Sequence, residues 1–228
     1  RLVYEARVFT GTQLIASFID ASTGDLVWAY NDLKTQQPTL PCAQCVIGQG
    51  LGVLGDRKKI SVTTVGGSFL AEDRLRPAKI FTVDTRGDLA RAIAVEQDST
   101  TLFDSDLASD ADNNWLDGAS VDAHVGMGWT YDYLFRRFKR QGLNDKNVRM
   151  ISLVHPVNRA DVFAASSEVL NAYYLNAFYC GVCGPDKVGL MVFGEGLPPN
   201  LTIGGQRWNF LSGALDVVAH EFAHAVTD

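Results

Sequence analysis

Near its C-terminal end the chain reads Asp216-Val-Val-Ala-His220-Glu221-Phe-Ala-His224-Ala-Val-Thr-Asp228. Two histidines stand four residues apart, with a glutamate directly after the first. On a helix of 3.6 residues per turn this spacing turns the second imidazole about 400° from the first, so both rings leave one face, one turn apart. Two imidazoles so placed can chelate one tetrahedral zinc ion, and Glu221 between them can take a proton from water at that metal. Leu215, Val218, Phe222 and Ala225/Val226 recur at helical spacing, and neither glycine nor proline follows Gly213, so this segment is predicted to be a helix. The bland alternative is a buried helix with two hydrogen-bonded core histidines and a solvated glutamate.

A catalytic zinc takes three protein ligands, so two histidines leave it one short. In metzincins the third is a histidine reached through a glycine three residues after the second; here that position is Thr227, which rules this route out. A glutamate from a following helix is the remaining source. Residues 211–228 resemble the zinc helix of thermolysin-type neutral metallopeptidases. Val121-Asp-Ala-His124, Thr130-Tyr-Asp-Tyr133, Asn176-Ala-Phe-Tyr179 and Met191-Val-Phe-Gly194 match that family in order, so the resemblance runs over residues 46–228. It implies a secreted zinc endopeptidase acting on protein substrates, with His220 and His224 on the metal and Glu221 as general base. The family's third ligand and its transition-state-stabilising histidine are expected beyond Asp228, which would make this chain part of a peptidase, inert by itself. The resemblance further implies that Asn176 and Ala177 contact the substrate backbone, that Tyr179 replaces a tryptophan on the cleft wall, and that a hydrophobic side chain is preferred on the primed side of the cut. It also implies calcium at Asp110 and Asp112 and at Asp216.

The elements that must position these groups form an α+β fold, expected to be mostly antiparallel sheet with a long upstream helix and the C-terminal zinc helix. Residues 1–33 alternate like three short strands (Leu2, Tyr4, Ala6, Val8; Leu14, Ala16, Phe18; Leu26, Trp28, Tyr30), with turns at Gly11-Thr12 and Ser22–Asp25. Phe18–Trp28 resembles the tail of a PepSY-type pro-domain, which implies a partner that chaperones and inhibits the catalytic domain; a hairpin of the catalytic sheet is the alternative. Arg1 opens directly into strand pattern, so a preceding segment is expected. Residues 34–41 are polar, aperiodic and proline-bearing, and read as a linker containing the maturation site. The N-terminal catalytic subdomain then runs over 42–228. Lys59–Val65, Ser68–Ala71, Lys79–Val83 and Met150–Val154 read as strands, and 157–172 as containing a short helix that Ser166-Ser167 weakens. Glycine-dense Gly48–Asp56 lacks the following helix of a dinucleotide loop and reads as close strand packing. Ser120–Gln141 is the clearest upstream helix, capped by Ser120 or Asp122 and stopped by Gly142. Arg136, Arg137, Lys139 and Arg140 crowd its last turns; cations suit the dipole there, and a solvated face is favoured over an anion site. Tyr174–Tyr179 reads as an edge strand able to pair with a peptide.

Alternate carboxylates at Asp110 and Asp112, behind Asp104 and Asp106, suit a hard oxygen-ligated cation such as calcium; turn-capping side chains on a solvated loop explain them as well. His124 and His155 read as structural. The four cysteines form two Cys-x-x-Cys pairs, Cys42/Cys45 and Cys180/Cys183. Structural disulfides (local clips or a cross-link), a four-thiolate zinc and a redox motif all remain open, and Gly181–Gly189 looks like an insertion in its hairpin. A 46% apolar and 20% charged chain is an ordinary globular protein, and a net charge of −6 argues against nucleic acid. No apolar run approaches the ~20 residues of a membrane span, and a monomer is expected. The competing functions are a non-catalytic binding or inhibitory module and a cysteine-zinc structural domain.

Overall fold

A computed structural model describes residues 2–9, 14–31 and 42–227. The expected linker and maturation region at 34–41 and the turn at Gly11-Thr12 lie outside the described residues. The chain divides into two compact units, Arg1–Pro38 and Thr39–Asp228. In the first, β1 (Val3–Phe9), β2 (Leu14–Asp20) and β3 (Leu26–Asn31) form an antiparallel sheet in chain order. Asp20 closes the β2–β3 turn by accepting the amides of Ser22 and Thr23 at 2.7 and 3.1 Å. Phe18 and Trp28, directly opposite each other, stack at 5.6 Å.

The second unit begins with β4 (Cys45–Leu51), β5 (Arg57–Val65), β6 (Ser68–Leu70), β7 (Glu72–Asp73) and β8 (Ile80–Asp84). Then come α1 (Leu89–Glu96), β9 (Ser109–Asp110), β10 (Asn114–Trp115) and α2 (Gly118–Phe138). It closes with β11 (Met150–Val154), the one-turn α3 (Ser167–Val169), β12 (Ala177–Cys180), β13 (Leu190–Phe193) and α4 (Leu215–Thr227). One sheet, ordered β10-β4-β5-β6-β9, is antiparallel but for its β10–β4 pair. The other, ordered β12-β13-β11-β8-β7, departs from the antiparallel expectation: β8, β11 and β13 run parallel. The reason lies in what covers it. α2 and α4 pack on one face through Met127, Tyr131, Val218 and Phe222, and α1 packs on the other through Ala92 and Val95. β11 and β13 are therefore buried along their whole length, the usual environment of parallel strands joined by long crossovers.

α2 starts earlier than expected. Asp117 caps it by accepting the amide of Ala119 at 3.1 Å, and Lys139 in the left-handed region (φ 62°) ends it before Gly142. Asp122 is no cap: it accepts the amide of Val53 at 2.8 Å and pairs with Lys58. Ser166 starts α3 by accepting the amide of Val169 at 3.3 Å, and helical turns run on through Leu170–Tyr174. The serine that weakened the sequence pattern is thus a helix start. α1, unanticipated, is capped by Asp88.

Candidate active site

α4 forms because Val218, Phe222 and Ala225 give it an apolar stripe, buried against α2. A close crossing makes this possible: a Cβ on Gly126 of α2 would lie 3.1 Å from Val218 Cγ1. With that stripe inward, His220 and His224 fall on the exposed face, their Nε2 atoms 3.0 Å apart and their ring planes at 89°. Two nitrogens on one tetrahedral zinc at ~2.05 Å stand ~3.3 Å apart, so the pair fits such an ion with a shift of a few tenths of an ångström. Among the described residues no third His, Cys, Asp or Glu joins them. Neither histidine packs into an apolar interior, which removes the core-histidine alternative. Glu221 is only 5% exposed, lines the same cleft and has no hydrogen-bond partner among the described residues. Its carboxylate reaches the cleft rather than being sealed in the core, so it is open to a water or substrate there.

The cleft holds about 1060 Å³ between α4 and the sheet margin. Its far wall is Leu175–Tyr179 with Gly181, so Asn176, Ala177 and Tyr179 do face the histidines. Among the described residues β12 ends its sheet and pairs only with β13, which leaves its outer edge facing the cleft. Gly194 holds the approach to this strand: its amide donates to the Asn176 carbonyl at 3.0 Å, where a Cβ would stand 2.3 Å from that oxygen. Trp208, Leu211 and Val217 complete an apolar side that sequence reasoning missed. Leu211 and Val217 lie within the 211–228 stretch that resembles the zinc helix, but only the fold shows that they line the cleft opposite β12.

The remaining candidates separate. Cys42 bonds to Cys45 and Cys180 to Cys183, with Cα atoms 5.3 and 5.2 Å apart. Both are local clips, so the cross-link and the thiolate-zinc reading are overturned: oxidised sulfurs cannot serve as thiolate ligands. Asp110 Oδ1 accepts the amides of Asp112 and Asn114 at 2.9 and 3.1 Å, and Asp112 Oδ1 accepts that of Asn114 at 2.9 Å. These carboxylates cap their own turn. Asp216 lies on the first turn of α4 at the cleft, not with them.

His124 is structural, as expected: Nε2–H donates to the Ser61 carbonyl at 2.8 Å, Nδ1 accepts from the Thr82 hydroxyl at 2.9 Å, and burial lowers its pKa. His155 is held at φ 51° between Asp117 (3.1 Å) and Glu195 (2.9 Å). Burial alone would lower its pKa, but the two carboxylates outweigh that and raise it to about 10. Asp117, despite burial, is held below the usual carboxylate range by the bonds from His155 and Ser120. Arg159 adds a bond to the Glu195 carbonyl at 2.9 Å and stacks 3.6 Å over Phe210. This knot fastens the α2 N-terminus and the end of β11 to the segment that leads into α4, and no motif announced it.

The family model described as thermolysin metallopeptidase, catalytic domain, matches residues 47–228. Bacillolysin of Bacillus cereus is 34% identical over 185 residues, covering 80% of this chain and 26% of that protein. Thermostable neutral protease NprT of Geobacillus stearothermophilus is 32% identical over 239 residues, covering 100% of this chain and 36% of that protein. The solved precursor of protealysin, a metalloproteinase from Serratia proteamaculans, is 24% identical with a TM-score of 0.42, covering 65% of this chain and 34% of that one. The chain thus spans about a quarter to just over a third of the curated relatives it matches. With the family model covering most of its length, the chain belongs to the thermolysin-type metallopeptidases.

Proposed function

We propose that this chain carries the zinc-helix half of the active site of a secreted endopeptidase that hydrolyses proteins. The observation that supports it most is the convergence of His220 and His224 Nε2 atoms, 3.0 Å apart, over a cleft shared with the unpaired Glu221 and an open strand edge. His220 and His224 hold zinc together with a third ligand supplied elsewhere in the complete protein. Bound there, zinc supplies a Lewis acid that acidifies water and polarises a peptide carbonyl. Glu221 accepts the proton of the attacking water at its carboxylate. β12 takes the substrate as an added strand, with Asn176 and Ala177 contacting the substrate backbone and Tyr179 walling the cleft. Trp208, Leu211 and Val217 suit an apolar substrate side chain. Residues 1–33 act as the tail of an inhibitory pro-domain, released by cleavage within 34–41. Calcium at Asp110 and Asp112 and at Asp216 belongs to the same reading; Asp216 needs carboxylates from elsewhere in the protein.

Casein hydrolysis by the complete protein tests the roles. Glu221→Gln is expected to lower kcat by about 10²–10⁴, the usual worth of a general base, with zinc content unchanged. His220→Ala or His224→Ala is expected to lose the metal as well. Undiminished turnover by the Glu221 variant would end the assignment.

A further inference from the structure

α2 is buried over most of its length, but from Trp129 onward one flank turns to solvent. At 100° per residue, Trp129, Tyr133, Arg136 and Arg137 fall within an arc of about 100°. Phe138 joins them, meeting Tyr133 edge-on at 6.1 Å, and Lys139 follows. The three rings are 45%, 60% and 63% exposed. Arg136, Arg137 and Lys139 are exposed and form no ion pair among the described residues. The nearby acids are engaged: Asp132 pairs with Arg76 at 2.8 Å, and Asp145 accepts the Gln141 amide at 2.8 Å. Arg140 turns inward to the carbonyls of Leu143 and Val226. The helix dipole accounts for cations at this end, but not for the exposed rings beside them: Lys58 lies 5.9 Å over Trp129, while Tyr133 and Phe138 meet edge-on at the surface. None of these residues lines the peptidase cleft.

We propose that this flank docks the protein on a membrane surface rich in anionic phospholipid, a property separate from peptide hydrolysis. Unpaired cations on a chain of net charge −6 give the flank a local sign opposite to the whole, so an anionic surface would meet the protein in this one orientation. Lipid suits the set better than a soluble polyanion because the rings have a place to go. Tryptophan and tyrosine settle at the headgroup level, and phenylalanine settles at the acyl boundary. No helix among the described residues is long and apolar enough to cross a bilayer, and the attachment proposed is at the surface.

Co-sedimentation of the complete protein with phosphatidylcholine vesicles, with and without phosphatidylglycerol, tests this. Binding is expected only to the anionic vesicles, to weaken with salt, and to shift Trp129 fluorescence to shorter wavelength. Replacing Arg136, Arg137 and Lys139 together by serine should lower partitioning on the order of a hundredfold, about fivefold per basic residue. Phe138→Ser with Trp129→Ser should weaken it at unchanged charge. Both variants should keep peptidase activity on a soluble substrate, which verifies folding. Equal binding to neutral vesicles, or indifference to the triple replacement, would overturn the proposal. Binding that survives loss of the rings and is competed away by polyphosphate would also overturn it, in favour of a soluble polyanion.

Discussion

His220, Glu221 and His224 share a face because four residues make just over one helical turn, and nothing beyond local geometry is needed to bring them together. His155 is the opposite case. A lone histidine after a strand carries no pattern, yet here it is the cation between two carboxylates in a left-handed backbone conformation. Its folded pKa of about 10 lies above its ordinary value. The stabilisation it provides is therefore complete below about pH 6.5 and is lost as pH rises toward 10. Asp117 has the reverse sign: its contribution is present above the ordinary carboxylate pKa and is lost on acidification. Replacing His155 by Ala removes the cation between Asp117 and Glu195 and should cost about 1–3 kcal/mol, less than a fully buried pair because the Asp117 side chain is 38% exposed. Thermal denaturation of both proteins across pH checks this. The gap in melting temperature should be widest just below about pH 6.5, above the carboxylate range, and should close toward pH 10; a gap independent of pH would show that His155 contributes packing alone.

Between elements, the decisive contact is the crossing of α2 and α4, since it sets which face of α4 meets the cleft. Gly126→Ala puts a methyl group 3.1 Å from Val218 Cγ1. Overpacking there costs about 1–3 kcal/mol, against about 1 kcal/mol gained from alanine's better helix propensity. A net loss of stability and weaker zinc retention are expected, measured by melting temperature and metal content. A more stable variant with full zinc would mean that α4 moves freely at this crossing. The disulfide pairing is also a matter of elements. Cys180 ends β12, and its partner lies three residues on in the hairpin tip. Spacing allowed a local clip, but equally allowed a long cross-link, because sulfur separation across the fold is not encoded in sequence distance.

For the whole molecule, the chain divides into two compact units, and on the proposal that the first is a pro-domain tail, maturation should occur near their boundary. The mature protein's N-terminus, read by mass spectrometry, is expected within residues 34–41; a start inside β1–β3 or beyond β4 would remove the pro-domain reading. Strands with a polar face, such as β5, and the helical periods of α2 and α4 were legible because alternation and 3.6-residue recurrence are local signals. The parallel centre of the second sheet was not, since β11 and β13 are buried on both sides and carry no alternation to read. The same division holds for the site. By itself the sequence determined that His220 and His224 leave one helix face with Glu221 beside them, because that geometry needs only one helix. Only the tertiary structure decided that an open strand edge and the apolar wall of Trp208, Leu211 and Val217 face that helix, and that His155 ties the segment before it in place. Those groups are far apart in sequence, and their meeting depends on how the helices and sheets pack.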